Sequence, residues 1–159
     1  MDDGFEDDDF EDDDFEDDFE DDFFDEVFFE DDDGEYALYI NSGAPHQYYA
    51  PHDHGTAWAI IAGVQGRERH KLYLRRGPDD PGEGPIRKMG EVIVASGEAA
   101  TMQPDGIHEV NAMDGKPLLH LHLYARNFIA QGERWKFDVE KGTAEPFYLD
   151  ELGSITDAR

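Results

Sequence analysis

The 159-residue chain contains no cysteine, so disulfides, thiolate metal ligands and a cysteine nucleophile are all excluded. A reducing compartment is compatible with that absence. Cations are scarce: 13 Lys and Arg stand against 40 Asp and Glu, for a formal charge of −27. Binding nucleic acid through its phosphates needs clustered cations and is not expected. Attraction to an anionic membrane surface is disfavoured for the same reason. No apolar run approaches the roughly 18 residues of a membrane span. The first residues lack the basic and apolar regions of a secretory signal. The expectation is a soluble cytoplasmic protein, monomer or homodimer, that meets small molecules rather than nucleic acid or membrane.

The negative charge is concentrated at one end. Residues 1–33 hold 22 acidic residues and neither Lys nor Arg, and the remainder carries a net charge of only −5. In the acidic run Phe5, Phe10 and Phe15 are five apart, then Phe19 and Phe23 four apart. Neither the helical period near 3.6 nor the strand period of 2 fits this spacing. Dense like charge opposes compaction, and a poorly specified tail is the simpler reading. Its eight Phe residues leave docking on an apolar or basic surface open. No chemistry is placed there. The chain divides into this acidic low-complexity segment (1–33), a globular domain (34–150) and a C-terminal tail (151–159).

The globular part reads as short strands between turns. Candidates are 36–40, 47–50, 58–64, 69–74, 92–95, 99–102, 118–124 and 135–139, rich in Val, Ile, Leu and Tyr. Gly-Val-Gln-Gly (63–66), Gly-Pro-Asp-Asp-Pro-Gly (77–82), Pro-Asp-Gly (104–106) and Asp-Gly-Lys-Pro (114–117) interrupt them. In such turns Gly supplies positive φ and Pro presets φ. Strands at this spacing, without a long amphipathic helix, predict an all-β sandwich or barrel. Residues 77–88 read as a surface loop.

Seven histidines are the informative residues: His46, His52, His54, His70, His108, His120 and His122. In His52-Asp53-His54 the two imidazoles are two apart, so on an extended chain they point the same way. They can converge on one metal ion. His108, after the Pro104-Asp-Gly turn, is the candidate third ligand. Alone, a His-x-His is as readily a coincidental turn. Its Gly-x-x-Trp continuation and the distant Pro-x-Gly-x-His favour the metal site. In 118–124, His120, His122 and Tyr124 share one strand face and Leu119, Leu121 and Leu123 the other. A solvent-facing polar strand is the plain alternative. His46 and His70 read as surface or satisfied core residues. Trp58 reads as packing beside the metal site, Trp135 and Phe137 as a cover for the barrel's end, and one of Tyr48 and Tyr49 as buried.

Pro51-His-Asp-His-Gly-Thr-Ala-Trp58 leading to Gly63-Val-Gln-Gly66, and Gly97…Pro104-Asp-Gly-Ile-His108…Asn111, resemble the two motifs of the cupin superfamily. The resemblance covers roughly Glu35 to Leu149. It implies a double-stranded β-helix (jelly-roll) barrel with a metal held by His52, His54 and His108. Many cupins add a Glu ligand shortly after the His-x-His pair, where this chain has Trp58 and Ala59. The three-His set is similar to that of the cysteine dioxygenase branch. Glu68 reads as solvated or paired with Arg67, Arg69 or Lys71 rather than as a fourth ligand. Thiol dioxygenases also carry a Ser-x-His-x-Tyr relay, which His122 and Tyr124 match, with His120 in place of the Ser. The resemblance implies Fe(II), with Zn, Ni or Mn as other divalent candidates, and a small thiol and O2 as substrates. The alternative is a metal-binding cupin of other function: small-molecule binding, or a Zn or Ni lyase or isomerase. Cysteine dioxygenases hold the substrate carboxylate with an Arg ahead of the pair, and this chain has no Arg or Lys before Arg67. Arg67, Arg69, Lys71, Arg87 and Arg126 remain as candidate anchors.

Overall fold

A computed structural model describes residues 25–75, 85–127 and 131–147. Most of the acidic run, residues 77–84 of the expected loop and the 151–159 tail lie outside them. Eleven strands are described: β1 (Asp25–Glu30), β2 (Ala37–Gly43), β3 (Tyr48–His52), β4 (Ala59–Gln65), β5 (Arg67–Arg75), β6 (Ile86–Ala95), β7 (Ala99–Met102), β8 (Ile107–Ala112), β9 (Leu118–Tyr124), β10 (Arg134–Asp138) and β11 (Thr143–Phe147). There is no helix among the described residues, hence none long and apolar enough to cross a membrane.

The strands form two antiparallel sheets. One has the order β1-β2-β9-β4-β7 and the other β11-β10-β3-β8-β5-β6. Without the flanking β1, β10 and β11, the orders β2-β9-β4-β7 and β3-β8-β5-β6 are those of an eight-strand jelly roll. The all-β, double-stranded β-helix architecture is therefore the one expected. Closure is not: the sheets stay separate, joined among the described residues by one isolated parallel bridge, Gly63 to Ser96.

Four strands depart from the sequence reading. β8 was not expected, because Glu109 and Asn111 break its apolar run. They occupy the face opposite His108, where Glu109 binds Lys71, Tyr73 and Asn111. β6 begins at Ile86, so the predicted loop gives up its last residues to a strand paired with β5. β1 is drawn from the acidic run itself and pairs with the edge of β2, where backbone hydrogen bonding overrides the charge pattern. β11 closes a hairpin with β10.

Alternation fixes what points inward. On β4, Ala59 and Ile61 are fully buried, and with Ala37, Tyr39, Met102 and Tyr124 they form a compact apolar cluster on the first sheet. Full burial of a side chain such as Ile61 stabilises by about 2–3 kcal/mol. Trp58 has the other parity. It is half-buried against Tyr36, ring centroids 6.1 Å apart, and so does not pack beside the metal site as expected. Tyr48 and Tyr49 are both half-buried, where one was expected inside. Phe137 is buried with Tyr73, Ile86 and Ile107, and Trp135 packs against them. Ile107 alternates with His108, so this second cluster lies across β8 from the histidines.

Candidate metal centre

The space between the sheets is lined by histidine. His54, His70, His108 and His120 are each at most 2% exposed, His52 9%. His52 ends β3 and stands directly opposite His108 on β8. His54 follows two residues later, and Asp53 between them turns the other way. The Asp53 carboxylate accepts from the backbone N–H groups of Gly55 (3.2 Å) and Trp135 (2.9 Å) and pairs with Arg75. That carboxylate ties the ligand loop to β10 and β5. Gly55 has φ +60°, and a Cβ there would lie 2.6 Å from the Gln131 carbonyl oxygen, so the bend behind His54 requires glycine.

Donor nitrogens of His52, His54 and His108 all lie within 4.8 Å of one another. The structure thus brings together the three expected ligands, with His108 on a strand rather than in the turn. Ring-centroid separations are 4.5 Å for His52–His108, 4.9 Å for His54–His108 and 5.5 Å for His52–His54.

The outer partners fix which nitrogen faces the centre. His52 Nδ1 lies 2.8 Å from the Ala50 carbonyl oxygen and donates to it, leaving Nε2 without a proton. His70 Nε2 donates to Glu68 Oε1 at 2.7 Å. With its Nε2 as the donor, His70 presents Nδ1 as the acceptor for His108 Nδ1 at 2.8 Å. His108 Nε2 is therefore also a bare lone pair, 3.1 Å from His52 Nε2. Two lone pairs facing at that distance repel unless a cation lies between them. Ligands at right angles on an ion about 2.1 Å away are about 3 Å apart. His54 Nδ1 is buried with no hydrogen-bond partner. The donor set fits a divalent transition metal, and imidazoles alone do not select which.

Protonation agrees with ligation. Burial lowers His52 to about 4 and, with the neighbouring histidines, holds His54 and His108 well below the usual imidazole range. The buried Arg134 guanidinium on β10 adds to this at His52 and His54. All three are neutral at neutral pH, the form that binds metal.

β9 supplies the remaining expected residues. His122 Nδ1 and the Tyr124 hydroxyl are 2.9 Å apart, and the Tyr124 ring lies 5.5 Å from that of His54. Burial lowers His122 to about 3. His120 is on the same face, but its contact is with Glu68 on the opposite sheet: Nδ1 to Oε1 is 2.8 Å. Glu68 is neither solvated nor paired with a cationic side chain, as the sequence reading had it. Burial pushes its carboxyl up, the neighbouring His120 and His70 pull it down more strongly, and it rests at about 2. Sequence reasoning missed the Glu68–His70–His108 chain. Its one signal was the alternation of Glu68 and His70 toward the face of β5 opposite Lys71. Arg134 was missed too. Of the expected anchors, Arg67 pairs with Asp114 and Lys71 with Glu109, Arg69 shares their face of β5, and Arg87 and Arg126 are exposed.

No protein-family profile matches the chain, and no curated protein matches it. Among solved structures, it is similar to an oxalate oxidase in complex with glycolate (16% identity, TM-score 0.45), over 58% of this chain and 42% of that one. A hydroquinone 1,2-dioxygenase in complex with Cd2+ and 4-hydroxybenzonitrile gives 14% and 0.45, over 58% and 59%. The Cnp3 cupin domain of Schizosaccharomyces pombe gives 7% and 0.46, over 67% and 65%. The chain thus spans less than half of the oxalate oxidase. Likenesses at these scores carry no argument about chemistry, which rests on the strand order and the histidines.

Proposed function

We propose that the chain is a cupin-type metalloprotein whose three-histidine centre holds Fe(II) and oxidises a small thiol with O2. The observation that carries this reading is the His122–Tyr124 pair standing beside His54. Iron held by three imidazoles would supply open coordination positions and the redox chemistry by which both atoms of O2 end on the thiol sulfur as a sulfinate. The protein's part is to position and to hold protons. The His122 Nδ1 contact at 2.9 Å orients the Tyr124 hydroxyl, and a phenol O–H beside the centre is a donor for oxygen or sulfur of the reactants. Such a donor strengthens as negative charge develops on its acceptor. The burial of the triad limits water.

A second reading is a cupin centre with Zn or Ni that binds a small molecule or acts as a lyase or isomerase. It is favoured by the pairing of Arg67 and Lys71 with carboxylates away from the triad, which takes up two of the five expected substrate anchors.

Oxygen uptake by Fe(II)-loaded protein, measured with thiols with and without a carboxylate, separates the two. The dioxygenase reading expects thiol-dependent uptake with iron, none with Zn, and loss in His108→Ala. A protein that binds iron tightly yet consumes no O2 with any thiol supports the second reading.

A further inference from the structure

We propose that Glu68, His120 and His122 form a second site for a first-row divalent cation, between the sheets and separate from the three-histidine centre. It goes beyond the proposed function and does not depend on it. Donor atoms of the three residues lie within 4.8 Å of one another. Glu68 reaches in from β5, His120 and His122 from β9, so the site would clamp the two sheets together. Two imidazoles and one carboxylate are a donor set for Fe(II), Mn(II) or Zn(II).

His120 makes the case. It is 2% exposed, yet neither ring nitrogen makes an aligned hydrogen bond: Nδ1 has only its close contact with Glu68, and Nε2 has no partner. Buried polar groups nearly always do, because an unpaired one loses its hydration for nothing. Its Nδ1 is 2.8 Å from Glu68 Oε1 but lies off the direction a ring N–H would need. Closeness without a hydrogen bond is what two ligands of one ion show, since cis donors about 2.1 Å from a metal are about 3 Å apart. A purely structural Glu–His contact would be aligned, as His70 Nε2 is to the same oxygen at 2.7 Å. That bond does not exclude ligation, because a carboxylate has about four lone-pair sites. His122 fits as well: its Nδ1 is engaged by Tyr124, which leaves Nε2 as the donor.

The test is stoichiometry. Metal-free full-length protein is titrated with Co(II) by equilibrium dialysis, with visible absorption as a second readout. Millimolar Mg2+ is present to fill the oxygen-only sites of the acidic run. Wild type is expected to bind two tight equivalents, and Glu68→Gln and His120→Leu one each. A wild-type count that neither Glu68→Gln nor His120→Leu lowers overturns the proposal, whatever the total. The three-histidine centre is judged separately, by whether His108→Ala loses an equivalent, so the two sites can fail independently.

Discussion

His52 Nε2 and His108 Nε2 face each other at 3.1 Å across paired strands, each with its Nδ1 proton committed elsewhere. This arrangement makes the pair a receptor for a cation rather than a hydrogen bond. It also makes His70 important, because His70 decides which nitrogen of His108 carries the proton.

His70→Leu removes that partner and leaves His108 free to place its proton toward the centre. Losing the outer partner of a metal-bound histidine typically costs about 10–100-fold in affinity. A chelator competition should show that loss while His108→Ala abolishes tight binding at this centre. Unchanged affinity in His70→Leu would remove the orienting role.

Tyr124→Phe deletes only a hydroxyl. Iron content should stay near normal, while thiol oxidation falls by about 10²–10³, the usual cost of one lost donor to developing charge. Equal turnover by wild type and variant would detach Tyr124 and His122 from the chemistry.

The parts of this site that lie close in sequence were legible, and those assembled across strands were not. His52 and His54, and His122 and Tyr124, are each two apart, and the alternation of an extended chain alone puts each pair on one side. The jelly-roll order followed from motif resemblance and turn spacing. β8 was hidden because its outward positions carry Glu109 and Asn111, which answer to Lys71 and Tyr73 rather than to a hydrophobic pattern. Glu68 and His70 looked like part of a charged surface strand beside Arg67, Arg69 and Lys71. Their burial depends on β9 lying opposite, and no local spacing reports that. Arg134 is buried as well, and its charge gave no sign of that in the sequence.

A chain shortened to begin at Asp33 loses β1 and uncovers the edge of β2. It also loses the hydrogen bond from Asn127 Nδ2 to Glu30 at 2.8 Å. The ligands all lie beyond that point, so tight metal binding should persist while the melting temperature falls. A folded truncation that no longer binds metal would contradict this.

The metal-free protein should be acid-sensitive. Burial holds His52 at about 4 and His122 at about 3, against 6.5 for a free imidazole. Between these values the unfolded chain takes up protons that the folded chain refuses. The stability is therefore fully present above about pH 6.5 and falls as pH drops toward 4. For His52 alone the span corresponds to about 3 kcal/mol. Glu68, held at about 2 against 4.5, extends the loss to lower pH. Urea midpoints should drop clearly between pH 7 and pH 5, and equal midpoints would argue against neutral buried histidines.

The most direct test of thiol oxidation at the three-histidine centre is a single turnover of Fe(II)-loaded protein with a small thiol under 18O2, followed by mass spectrometry of the product. The account predicts a sulfinate in which both oxygen atoms carry the label, formed by wild type and not by His108→Ala. Disulfide as the sole product, or a sulfinate whose oxygen comes from water, would contradict it.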